Sequence, residues 1–154
     1  MNFAKLIHPD AVKVVTSASS KKRLLHSISE LAHSAYGLDM AMVSDALIAR
    51  EALGPTGVGH GVALPHARVE GLESVVGAFV LLDKPIDFSS VDRQPVDIAF
   101  ALFAPEQAGV EHLKALALVS RTLREPSICA KLRANPDPTK LFAILSETQS
   151  AQAA

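Results

Sequence analysis

Cysteine occurs once in this sequence, tyrosine once and tryptophan not at all. One cysteine, Cys129, permits no internal disulfide and no cysteine-based metal cluster, which fits a reducing compartment. In Pro126-Ser-Ile-Cys-Ala-Lys-Leu it reads as a small core side chain. Aromatics are 5% of residues, so the core is expected to be aliphatic. Neither sign of charge dominates: 15 basic and 16 acidic residues leave a formal net charge of −1. The one local basic run, Lys21-Lys22-Arg23, sits at a helix start and reads as a solvated face. This charge pattern is no nucleic-acid footprint. Apolar runs are too short to span a bilayer, and the N-terminus lacks the charged, apolar, small order of a secretion signal. The expectation is a cytoplasmic protein with no membrane insertion.

What is present is a chain of 154 residues, 49% apolar and 20% charged, enough for one domain with a substantial core. We expect that domain over 1–145, and a disordered tail of small and polar residues over 146–154. Residues 1–18 read as a lead-in and one edge strand. Ser19-Ser20 can cap a helix whose Leu24, Leu25, Ile28, Leu31, Ala32 and Ala35 recur at helical spacing up to Gly37. His26 and His33 on it are two turns apart, too far to share a metal. Asp39 can cap a second helix with Met42, Val43, Ala46 and Leu47 as its stripe, ending at Leu53 before Gly54-Pro55. Arg50 continues that stripe. It either satisfies terminal carbonyls or reaches over the core edge to an anion.

Continuous apolar runs at roughly 75–83 and 96–103 read as strands buried on both faces, which implies helices on both sides of a sheet. A helix over 109–123 would show Leu113, Leu116, Ala117, Ser120 and Leu123 on one side. His112 falls in its first turn. It is either an exposed N-terminal histidine or a group beside an anion held at the helix end. Pro126 opens a further helix, and Asn135-Pro136-Asp137-Pro138 leads into a last one ending near Leu145.

The most informative stretch is Gly57-Val-Gly-His-Gly-Val-Ala-Leu-Pro-His-Ala-Arg68. Alternate glycines let something approach the main chain closely. Val62-Ala63-Leu64 suits a buried strand end, and Pro65 stops the pairing because it has no N–H. His66 is thereby delivered at a strand end. An imidazole there is either a hydrogen-bonded loop group or a nucleophile, since its neutral form attacks phosphorus or carbonyl carbon without a separate base.

With Arg50-Glu51 upstream and Glu111-His112-Leu113 downstream, this segment resembles the IIA domain of the fructose/mannitol branch of the bacterial sugar phosphotransferase system, above all its stand-alone nitrogen-regulatory form. The similarity runs from about Ala4 to Leu145. It implies an α/β domain with a mixed, mainly five-stranded sheet flanked by helices on both sides. It implies that His66 accepts a phosphoryl group on its tele nitrogen from an HPr-like phosphocarrier, the NPr of the nitrogen branch. His112 would hydrogen-bond a phosphoryl oxygen, and Arg50 would offset negative charge. No cofactor or metal is implied. The implied partners are regulated proteins, such as potassium transporters or sensor kinases, and a IIB domain in the sugar-specific alternative, in which a fructose- or mannitol-type IIA passes its phosphoryl group on. This sequence carries neither a IIB nor a membrane domain, which favours regulation.

Two features depart from the family pattern. His60 stands where relatives often have another polar residue, and Ala67-Arg68 replaces a small residue and lysine. A metal-dependent hydrolase using His60, His66 and His112 is a reading from another class. The spacing argues against it, with His60 and His66 roughly 20 Å apart along an extended run. A binding module with an inert His66 is the remaining possibility.

Overall fold

A computed structural model describes residues 2–16 and 18–153, with side chains through Glu147. In chain order the elements are α1 (Phe3–Leu6), β1 (Ile7–Val15), α2 (Lys21–Tyr36), α3 (Met40–Leu53), β2 (Gly57–Gly59), β3 (Val62–Ala63), β4 (His66–Arg68), β5 (Val76–Ile86), β6 (Val96–Ala104), α4 (Val110–Leu123), α5 (Pro126–Arg133) and α6 (Pro138–Ala153).

The two apolar runs pair antiparallel as β5 and β6 at the centre of one mixed sheet, in the order β1-β5-β6-β3-β2. Every residue of β6 except Asp97 is buried. Successive strand residues point to opposite faces, so both faces of the sheet are covered. β1 lies at one edge, as expected of the strand within residues 1–18, and runs parallel to β5. The sheet has six strands where mainly five were expected, and the segment from Gly57 to Arg68 supplies three of them. β2 and β3 form a small antiparallel hairpin. β3 and then β4 run parallel to β6 along the same edge, at Val62↔Ile98 and His66↔Leu102. Pro65 interrupts the strand without ending it. It lacks an N–H, but its carbonyl still accepts from Leu102 N at 2.9 Å, so pairing resumes at His66.

The helix ends follow the local chemistry. Ser20 Oγ accepts from Arg23 N and Asp39 Oδ1 from Met42 N, which caps α2 and α3. Gly37 closes α2 at φ +70°, a left-handed torsion that glycine adopts without a Cβ clash. The short α1 has no counterpart among the sequence expectations; Asn2 Oδ1 caps it through Lys5 N. The backbone of α6 continues to Ala153, past the Leu145 boundary. Most of the tail expected to be disordered lies outside the residues whose side chains are described.

The core differs in one respect from the aliphatic one expected. Five of the six phenylalanines, Phe3, Phe79, Phe88, Phe100 and Phe103, are fully buried. Phe100 meets Phe3 and Phe79 edge-on, with centroids 5.6 and 6.2 Å apart. The buried row of α4 is also not the one read from spacing. His112, Ala115, Leu118, Val119, Thr122 and Leu123 face inward, while Leu113 is 68% exposed. The helix is apolar around much of its circumference, so periodicity alone does not select the face. Cys129 is buried, and its thiol donates to Leu123 O. Among the described residues, no helix is long and apolar enough to cross a membrane.

Candidate functional site

Helix α3 delivers the first group. Val43 and Leu47 are buried, and Arg50 follows on the same row one turn later, half-buried. Its guanidinium satisfies a terminal carbonyl, the first of the two readings, and also reaches the His66 ring. Nη1 donates to Gly54 O at 2.9 Å, and Nε donates to His66 Nε2 at 3.3 Å.

His66 is the first residue of β4, so its backbone is tied to β6. Its ring Nδ1 lies 2.8 Å from Leu64 O. A carbonyl oxygen only accepts, so Nδ1 carries the proton and the Nε2 lone pair faces the Arg50 guanidinium. The residue is half-buried. The ring's tautomer is thus set by a backbone carbonyl two residues upstream.

His112 comes from the first turn of α4. Its ring lies edge-on to His66, with centroids 5.5 Å apart. The residue is buried, at 6% exposure, and its Nε2 has no hydrogen-bond partner. Burial, the neighbouring His66 and the Arg68 guanidinium all push its pKa below the ordinary histidine value, burial most strongly. The imidazole thereby favours its neutral form, and it is short of one partner, which a buried polar atom rarely is. It is not the exposed helix-end histidine of the alternative reading.

Arg68 closes the same side. Its Nη1 donates to the carbonyls of Pro105, Glu106 and Ala108, in the loop that feeds α4. The departure at position 68 therefore ties β4 to the start of the helix that carries His112. A lysine ammonium offers a point charge there, not a planar fork.

A further cluster escapes sequence reasoning. Glu51, next to Arg50, is an almost fully buried carboxylate that accepts from Lys21 Nζ at 2.8 Å, Thr56 N at 3.1 Å and Thr56 Oγ1. Lys21 Nζ also sits 4.6 Å above the Phe88 ring. Lys22 and Arg23 are exposed as expected, but Lys21 turns inward. The one available signal was an acidic residue near the end of a helix, where the dipole disfavours it.

His60 stands apart from these groups. It occupies the β2–β3 turn at φ +57°, its N–H donating to Asp92 Oδ2 and its carbonyl accepting from Arg133 Nη2. The chain from 57 to 66 is a hairpin, not an extended run. Measured along β6 from Ile98, which bonds Gly61 O, to Leu102, which pairs with His66, the offset is roughly 13 Å at strand rise. Among the described residues no group of three or more His, Cys, Asp or Glu could hold a metal ion. His26 pairs with Glu30, and His33 Nδ1 with Leu38 O, both away from the site.

Residues 5–148 match the family described as phosphoenolpyruvate-dependent sugar phosphotransferase system, EIIA 2. A nitrogen regulatory protein of Bradyrhizobium diazoefficiens is 43% identical over 146 residues, covering 95% of each chain. One from Klebsiella oxytoca is 38% identical over 97% of this chain and 93% of its own. The crystal structure of nitrogen regulatory protein IIA-Ntr from Neisseria meningitidis superposes with a TM-score of 0.84 at 34% identity, covering 92% of this chain and 97% of that one. With Arg50, His66 and His112 gathered at one edge of a mixed sheet, this chain belongs to the EIIA 2 family of the phosphoenolpyruvate-dependent sugar phosphotransferase system.

Proposed function

We propose that this chain is the phosphohistidine-carrying IIA component of a nitrogen-related phosphotransferase system. It takes a phosphoryl group on His66 from an HPr-like carrier in the cytoplasm, and its phosphorylation state sets how it binds regulated proteins. The observation that carries the reading is the orientation of His66: Nδ1–H is held on Leu64 O, which leaves the Nε2 lone pair as the nucleophile.

In the transfer, Nε2 attacks phosphorus and the N–P bond to the carrier's imidazole breaks, its electron pair returning to that ring. His66 keeps its Nδ1 proton, so the phosphorylated ring takes over the positive charge that a protonated donor ring gives up. Leu64 O faces that charge. Such a reaction leaves side chains little covalent work, and the neighbours act by position and charge. Arg50 swings its Nε–H from the lone pair to the incoming oxygens, for which a guanidinium fork is well shaped. His112 Nε2, without a partner in the resting protein, takes up a phosphoryl oxygen when it carries a proton. The nitrogen regulatory names of the relatives favour a regulatory output.

The test is intact-mass analysis after incubation with phosphoenolpyruvate, the first phosphotransferase enzyme and a small histidine carrier. One acid-labile phosphoryl group is expected on the native protein and none on His66→Ala. No gain with any carrier would overturn the reading. Onward transfer of label to a IIB domain would move the assignment from regulation to sugar uptake.

A further inference from the structure

We infer that Glu51 is a positioning residue for His66, acting through a continuous path of hydrogen bonds that sets the ring's tautomer. The inference rests on the reading of His66 as a phosphoryl acceptor. Glu51 does not reach the ring. Its carboxylate, nearly sealed from solvent, binds both the N–H and the hydroxyl of Thr56, and so fixes that residue at the mouth of the β2–β3 hairpin. Thr56 is itself buried, and its carbonyl accepts from Leu64 N at 2.9 Å. Leu64 O then accepts from His66 Nδ1 at 2.8 Å. Each bond orients the next acceptor, and the path ends on the proton that decides which ring nitrogen is free to attack.

A second branch from the same residue pair reaches the other side of the ring. Arg50 precedes Glu51, and the turn that Glu51 pins contains Gly54, whose carbonyl holds Arg50 Nη1. Gly54 sits at φ +156°, and its N–H returns to Glu51 O at 3.1 Å. The guanidinium that faces Nε2 and the carbonyl that faces Nδ1 are therefore both referred to one carboxylate. Lys21 neutralises that carboxylate from α2, and the Phe88 face shelters the pair from water. A buried carboxylate that only stabilised the fold could be replaced without consequence for the ring. Here its partners lead to His66.

The experiment reads the tautomer in the unphosphorylated protein, by long-range proton–nitrogen NMR of the His66 imidazole in native, Glu51→Gln and Glu51→Ala proteins. Glu51→Ala removes the acceptor for both Thr56 donors. It is expected to shift the folded protein toward the Nε2–H form by roughly fivefold, the scale of one neutral hydrogen bond, with a matching loss in the rate of phosphoryl acceptance from the carrier. Glu51→Gln keeps an oxygen for Thr56 and is expected to restore most of both. A folded Glu51→Ala protein with the native tautomer ratio would overturn the inference, whatever its stability. If that variant does not fold, Thr56→Val removes the hydroxyl bond of the cluster, and a native ratio in it overturns the inference equally. A shifted tautomer in a protein that never accepts a phosphoryl group would uphold the positioning role and defeat the acceptor reading instead.

Discussion

Replacing Arg50 tests whether the guanidinium beside His66 serves the transfer or only closes helix α3. The side chain makes two hydrogen bonds, to Gly54 O and to His66 Nε2. If the first were its whole purpose, Arg50→Ala would cost about 1 kcal/mol of stability, the net worth of one ordinary hydrogen bond, and nothing in rate. If it also meets the phosphoryl oxygens, the loss is that of a preorganised donor at developing charge. That is about 100-fold in rate, or about 2.7 kcal/mol of barrier. Arg50→Lys separates charge from geometry. An ammonium cannot span a carbonyl and a phosphoryl group as the planar fork does, so roughly a tenfold loss is expected with the charge retained. Rapid-quench measurement of radiolabel moving from a phosphorylated carrier gives the rate, and denaturant unfolding gives the stability. An Arg50→Ala protein that accepts phosphoryl groups at the native rate would refute the reasoning, however unstable it proved.

Much of the fold was legible because its elements start and stop at places where local chemistry is strong. The caps Ser20 and Asp39 and the apolar runs that became β5 and β6 each rest on neighbours within a few positions. The gathering of Arg50, His66 and His112 came from family resemblance, because positions 16 and 46 residues apart share no local signal. The misreadings also have physical causes. Three glycines in five residues suit a bent hairpin as well as an extended strand, and the positive torsions of Gly59, His60 and Gly61 selected the hairpin. Lys21 looked like part of a solvated basic run because its partner, Glu51, belongs to the next helix. Arg68 keeps the positive charge of the family's lysine, but no neighbour in the sequence shows what its guanidinium bonds. Its grip on three carbonyls of the loop before α4 depends on how β4 and β6 end together.

Three further substitutions probe the frame around the rings. Gly77→Ala would place a methyl 2.6 Å from Phe100 Cε1 and 3.1 Å from Cζ. Phe100 is wedged between Phe3 and Phe79, so overpacking should cost about 1–3 kcal/mol in denaturant unfolding; an unchanged midpoint would mean the core yields. Arg68→Ala frees the loop at 105–108. Faster amide exchange is expected in the first turn of α4, with a loss of about 1 kcal/mol because the side chain is exposed, and native exchange there would contradict the clamp. His112→Asn, compared in a His66→Asn background so that the two rings do not interact, tests the buried imidazole. The pKa of His112 is lowered in the folded protein, while an unfolded histidine titrates near about 6.5. As pH falls through that value the unfolded chain binds a proton that the folded one refuses, so stability drops with acidification. The contribution is complete above the unfolded pKa and is lost as pH falls through the folded one. Denaturant midpoints taken from neutral to mildly acid pH should therefore fall more steeply with His112 present than in the His112→Asn variant. Parallel curves would mean that the ring accepts its proton as readily folded as unfolded, and that its burial leaves it no preference for the neutral form.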